Sequence, residues 1–178
     1  MSPPAVDLAP ELIEQILDAV DQGFEQQLAF TQQMMALDST RGNEHQAQAC
    51  FFEALDSRGY EMDQWSIDVA QIESHPGFSP VKVNYDNAVN VVGTHTPEEN
   101  KGRSLILNGH VDVVPTGPVD MWTRPPFEPW IEGDWLYGRG GADMKAGLCA
   151  NLAALDALET LGWQPAARVH LQSVTEEE

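Results

Sequence analysis

A leucine-striped helix between two strand-like runs constrains the fold of this chain more than any other feature. Met144, Leu148, Leu152, Leu155, Leu158 and Leu161 recur at helical period from about Met144 to Leu161. Gly162 stands where a helix ends in the left-handed conformation, and Pro165 follows it. Upstream lies the apolar run Leu105-Ile106-Leu107, and downstream Arg168 to Val174 alternates as a strand does. Strand, helix and strand at this spacing predict a βαβ unit. The expected class is therefore α/β, with a mixed, largely parallel sheet flanked by helices.

The rest of the chain supplies further elements. Pro10 suits the first turn of a helix, with Glu11 and Glu14 at the positive end of its dipole. Ile13, Ile16, Leu17, Val20, Phe24, Leu28 and Met35 continue that helix to about Leu37. Gly42 breaks the pattern, and a second helix is expected from about Asn43 to Arg58, with Ala47, Cys50, Phe51, Ala54 and Leu55 on one stripe and Gly59 ending it. A strand is expected over Tyr60 to Asp68, then a long loop from 69 to 88 holding His75-Pro76-Gly77 and Ser79-Pro80. Asn90 to Gly93 is a short β-type run. Gly133-Asp134 separates Trp130 to Glu132 from Trp135 to Tyr137, a hairpin signal.

Charge narrows the function. The chain carries 28 acidic against 9 basic side chains, a formal charge of -19, so nucleic-acid phosphates and anionic membranes are poor partners. No stretch approaches the ~20 apolar residues that span a bilayer. Met1 to Asp7 has neither the basic nor the apolar region of a leader, so a cytoplasmic location is expected. Cys50 and Cys149 fall in helical patterns, and each reads as a small buried hydrophobe rather than half of a disulfide framework.

The chemistry-bearing residues gather where strands end. His110 closes the run that begins at Leu105. Asp143 lies in the glycine-rich segment Gly138-Arg139-Gly140-Gly141 that opens the leucine helix. Glu176, Glu177 and Glu178 follow the last strand. In open α/β sheets ligands bind at the carboxyl ends of strands, so one site is expected to hold all three groups. Imidazole and carboxylate are zinc ligands. Asp112, two residues beyond His110, can hold an imidazole in one tautomer. Taken singly, each group has a plainer role: a surface histidine, a helix N-cap at Asp143, a solvated acidic run. Trp122 and Phe127 read as packing a rigid proline-rich loop onto the core, where Arg124 could also meet a carboxylate. His45, His75, His95 and His170 carry no motif and read as structural or exposed.

Together, Gly109-His110-Val111-Asp112-Val113-Val114-Pro115, Leu136-Tyr137-Gly138-Arg139-Gly140 through Asp143-Met144-Lys145, and Glu176-Glu177-Glu178 resemble the M20 metallohydrolases. Within them the chain is most similar to the acetylornithine deacetylase and succinyl-diaminopimelate desuccinylase branch, over nearly its whole length. The resemblance implies a hydrolase that cleaves the amide bond of N-acyl amino acids with water activated by two zinc ions. Cobalt or manganese would suit similar ligands. In that pattern His110 ligates one ion, Asp143 bridges both, Glu178 ligates the other, Glu177 is the general base and Asp112 supports the histidine. A register shifted by one would make Glu176 the base and Glu177 the ligand. The pattern also implies a cis peptide at Asp143-Met144.

By the same resemblance, residues 1–178 are the N-terminal portion of a catalytic domain. The C-terminal half of that domain, a lid or dimerisation domain and one further ligand per ion lie beyond it, and the whole enzyme is a homodimer. The 178 residues alone are then expected to be inactive and poorly soluble. A dipeptidase or carboxypeptidase of the same family, and a truncated non-catalytic relative, are the alternatives.

Overall fold

The computed structural model describes residues 8–80 and 84–178. The leader reading at Met1 to Asp7 and three residues of the expected 69–88 loop fall outside them. The first helix, α1 (Pro10–Met35), begins with proline in its first turn, and Ala9 O accepts from Leu12 N and Ile13 N. The second, α2 (His45–Asp56), ends where Gly59 turns left-handed: Gly59 N bonds Asp56 O and Tyr60 N bonds Leu55 O, the paired bonds of a Schellman stop. Then come β1 (Glu61–Ser66), a one-turn helix α3 (Val69–Ile72), β2 (Val89–His95) and β3 (Leu105–His110). The hairpin β4 (Trp130–Glu132) and β5 (Trp135–Tyr137) forms as the Gly-Asp signal predicts. The leucine helix α4 (Ala146–Thr160) and β6 (Val169–Val174) complete the fold.

The sheet order is β1-β2-β6-β3. The class is α/β with a mixed sheet, as expected, but the sheet is not largely parallel. Among the described strands only β3 and β6 pair in parallel, and β2 runs antiparallel to both β1 and β6. The reason is connectivity. A parallel pair needs a crossover, and among the described strands only α4 provides one in the main sheet. The short α3 also departs from the expected loop; the Asp68 carboxylate caps it by accepting from Ala70 N at 3.0 Å.

One face of the sheet makes the core. Leu107 registers with Leu171, and Val91, Val169 and Leu171 cluster with Phe51 and Leu55 of α2 and Leu148 and Leu152 of α4. Each such side chain, fully buried, contributes roughly 1.5–3 kcal/mol. Gly109 permits the close approach of α4: a Cβ there would sit 2.9 Å from Leu148 Cδ1. Ile106, on the other face, is exposed.

Helix α1 corrects the sequence expectation. Of its anticipated stripe Met35 is buried, whereas Ile13, Leu17, Val20 and Phe24 are exposed; Ala19, Thr31 and Met34 make the inward face. Periodicity marks an apolar stripe, but it does not say what covers it. Cys149 is buried as expected and Cys50 only half-buried. Trp122 and Phe127 are likewise half-buried, and Arg124 lies over the Trp130 ring at 5.1 Å, not free in a cleft. His95 and His170 bond Pro165 O and Thr94 Oγ1, which fits their structural reading.

Candidate metal centre

β3 and β6 end side by side, with His110 in register with Val174. Their parallel pairing therefore brings the residues after each strand to one place. Val111 N bonds Val174 O at 3.2 Å and extends the pairing beyond the strands. The segment between α1 and α2 runs alongside: Val113 N donates to Ser39 O at 3.1 Å, and Thr40 bridges Val113 in parallel.

His110 is 3% exposed and held from behind. Its Nδ1 lies 3.0 Å from the Asp112 main-chain carbonyl and 3.4 Å from Asp112 Oδ1. The carbonyl can only accept, so Nδ1 carries the proton, and a neutral ring then presents the Nε2 lone pair outward. Nε2 faces Asp143 Oδ1 at 3.1 Å and Glu177 Oε2 at 3.5 Å. Asp112 is also buried and works in two directions. Its Oδ2 accepts from Glu177 N at 2.8 Å and from Glu178 N at 2.9 Å. Its Oδ1 is buried without a hydrogen-bond partner and lies beside the histidine ring.

Asp143 reaches the site through a wide turn, Gly141–Lys145, in which Asp143 and Met144 leave helical geometry and their peptide is cis. The turn carries Asp143 outward, with its side chain largely exposed. It caps no helix, because the N-cap position of α4 is Lys145 and no side chain caps there. Gly140, at φ +75°, fits beneath the turn; a Cβ there would lie 2.5 Å from Val113 Cγ1.

Three features here carried no sequence signal. Lys145 is fully buried and donates from Nζ to Met34 O at 2.9 Å and Leu37 O at 2.7 Å, closing the C-terminal end of α1. Burial pulls its pKa down to about 8, against the opposing charge of Asp38. Glu44 is buried and accepts Gly42 N with both oxygens at 2.9 Å. Burial pushes its carboxyl up, aided by the charges of Asp112 and Glu176. Tyr85 donates to Glu176 Oε2 at 2.6 Å and is pushed up to about 12, first by burial and then by that carboxylate. A buried ammonium, a buried carboxylate and a tyrosine in a loop all read as solvent-facing in a single sequence.

The donor set suits a divalent cation. One ligand atom each from His110, Asp143 and Glu178 lies within 4.8 Å of the other two. Ligand atoms about 2.1 Å from one zinc ion are at most about 4.2 Å apart, so after small side-chain movements neighbouring pairs of these atoms could share an ion. With His110 neutral, its Nε2 lone pair would face these carboxylates, an arrangement that a cation between them would relieve.

Residues 106–178 match the model of peptidase family M20/M25/M40. The chain is 43% identical over 81 residues to a succinyl-diaminopimelate desuccinylase of Methylobacillus flagellatus, covering 46% of this chain and 21% of that protein. It is 33% identical over 174 residues to an N-formyl-4-amino-5-aminomethyl-2-methylpyrimidine deformylase of Halalkalibacterium halodurans, covering 94% of this chain and 36% of that one. The chain thus spans about a third or less of the length of these relatives. Among solved structures, the dipeptidase Dug1p of Saccharomyces cerevisiae superposes with a TM-score of 0.70 at 17% identity, over 90% of this chain and 34% of that one. Human carnosine dipeptidase 1 superposes with a TM-score of 0.69 at 20% identity, with the same coverages. At such identities these two likenesses concern the fold.

Proposed function

From the match of residues 106–178 to peptidase family M20/M25/M40, we propose that the protein is a member of that family and cleaves the amide bond of N-acyl amino acids with the help of two divalent metal ions, zinc in the first instance. The observation that carries this reading is the convergence of His110, Asp143 and Glu178 within 4.8 Å, with buried Asp112 behind the imidazole. In this proposal His110 and Asp143 would hold one ion, and Asp143 and Glu178 the other. Divalent ions there would supply Lewis acidity, which acidifies water and polarises a carbonyl.

The chain's own residues do the rest. Asp112 fixes the tautomer of His110 through Nδ1 and anchors the Glu177 and Glu178 main chain through Oδ2. Glu177 takes a proton from the attacking water and returns it to the leaving amine. Its side chain is more than half exposed, as a group that must meet substrate requires. Two observations favour this register over the shifted one. Glu176 is already engaged by Tyr85 and by Arg41, whose Nε is 3.1 Å from Glu176 Oε1, whereas Glu177 and Glu178 face His110 and Asp143.

In this reading residues 1–178 are the N-terminal portion of a catalytic domain, and the whole enzyme is a cytoplasmic homodimer acting on a small acyl-amino-acid substrate. No described helix is long and apolar enough to cross a membrane. The names of the desuccinylase and deformylase relatives favour removal of a small acyl group. The fold likeness to dipeptidases keeps short peptides as the second substrate class.

The test is Glu177→Gln in the complete native protein, assayed on N-acetyl, N-succinyl and N-formyl amino acids and on dipeptides. General acid–base catalysis contributes about 10²–10⁴-fold, and a loss of that size with zinc retained is expected. Undiminished turnover removes Glu177 as the base. A wild-type protein inert on the entire panel removes the proposed reaction.

A further inference from the structure

The Glu176 side chain takes no part in the reaction proposed above, yet it is tied down from two separate segments. Tyr85, from the loop before β2, donates its hydroxyl to Oε2 at 2.6 Å. Arg41, from the α1–α2 connection, places Nε 3.1 Å from Oε1 and donates from Nη2 to the Glu178 main-chain carbonyl at 2.6 Å. Between these anchors the Glu176 backbone stands at φ +67°, and it is the one non-glycine residue with positive φ among the described residues. Side-chain-bearing residues avoid that region unless the surroundings hold them there.

The turn has a directional consequence. Immediately after it, the N–H groups of Glu177 and Glu178 both reach the single oxygen Oδ2 of Asp112. The direction of the two following carboxylates is therefore set from both sides, by Asp112 beneath and by the Glu176 anchor beside them. The Arg41 side chain is 44% exposed, and an ion pair that open to water adds little to stability. What it supplies is orientation.

Resting on the proposed function, we propose that Glu176, gripped by Tyr85 and Arg41, is a positioning residue that aims Glu177 and Glu178 into the metal centre. It touches neither substrate nor metal. Its carboxylate converts the placement of two loops distant in sequence into the direction of the base and of a ligand.

The test compares Tyr85→Phe, Glu176→Gln, Arg41→Lys and Arg41→Ala in the complete native protein. The readouts are kcat, KM, bound zinc, the thermal midpoint and the visible absorption spectrum of the Co2+-substituted form. Small misplacement of a catalytic group costs up to about 100-fold, so Tyr85→Phe and Glu176→Gln are expected to lower kcat by about 10- to 100-fold. KM, bound zinc and the thermal midpoint should stay near wild type, and the Co2+ spectrum should change. Arg41→Lys should keep more activity than Arg41→Ala. The proposal is overturned if kcat and the Co2+ spectrum are unchanged in Tyr85→Phe and Glu176→Gln, or if kcat falls only in step with bound zinc or the thermal midpoint. Should the wild type hydrolyse nothing, the proposed reaction fails by itself, and the Co2+ spectra alone decide the positioning role.

Discussion

Asp112 gives the sharpest test at the scale of single residues. One oxygen must accept from two main-chain N–H groups while the other lies 3.4 Å from an imidazole nitrogen. A carboxylate can do both, because both of its oxygens accept. An amide cannot: with its oxygen towards Glu177 and Glu178, its NH2 meets the protonated Nδ1 of His110. Asp112→Asn is therefore expected to weaken zinc binding by about 10- to 100-fold, the usual cost of losing such a supporting partner. Chelator competition measures this, and unchanged affinity would remove Asp112 from the role proposed for it. His110, Asp112, Asp143 and the glutamate run were all legible in the sequence, because a histidine and acidic residues at strand ends are rare as a set. Lys145, Glu44 and Tyr85 were not: burial distinguishes Glu44, whose partner is the nearby Gly42 N, and partners far along the chain distinguish Lys145 and Tyr85.

At the scale of elements, the joint between α1 and α4 is the unusual one. Lys145 supplies donors to two main-chain carbonyls, Met34 O and Leu37 O, at the end of α1, where an ammonium also complements the helix dipole. Burial nevertheless lowers its pKa from 10.5 to about 8. The depressed value means that the unfolded chain holds this proton more tightly than the folded one. Stability from this group is therefore fully present above the unfolded pKa and is lost as pH falls through about 8. On rising from about 8 to about 10.5 it should increase by an amount on the order of 3 kcal/mol. Urea unfolding of wild type and Lys145→Met across that window measures the difference. The expected result is a rising contribution in wild type that the variant lacks, and equal slopes would remove it. The elements themselves were largely legible: α1, α2, the hairpin and α4 form close to where periodicity and glycine stops put them. The start of α4 was not, because the turn at Gly141–Lys145 is made to present Asp143 and not to continue a helix. The stripe of α1 was legible as apolar but not as exposed.

At the scale of the whole molecule, net charge and exposed apolar surface oppose each other. Ile13, Leu17 and Phe24 of α1 and the edge residues Leu105 and Ile106 of β3 are all open to solvent. A sheet edge and an apolar helix face invite self-association, while a charge of -19 resists it. The 178 residues expressed alone are expected to associate increasingly as salt screens that repulsion, to bind zinc below stoichiometry and to show no amide hydrolysis. Sedimentation at low and high salt, zinc analysis and the substrate panel measure the three outcomes, and a zinc-loaded, active monomer would contradict all of them. By itself the sequence determined which segments become helix or strand, that the fold is mixed α/β, and which acidic and imidazole groups are candidates for a metal. Those are properties of local periodicity, turn chemistry and donor type. Only the tertiary structure decided that one strand pairing is parallel, that Asp112 faces both the histidine and the glutamate turn, and that Arg41 and Tyr85 grip Glu176. The contacts of Asp112 with the glutamate turn, and of Arg41 and Tyr85 with that turn, join residues 65 to 137 positions apart, and their geometry exists only once the sheet register and the burial of each loop are set.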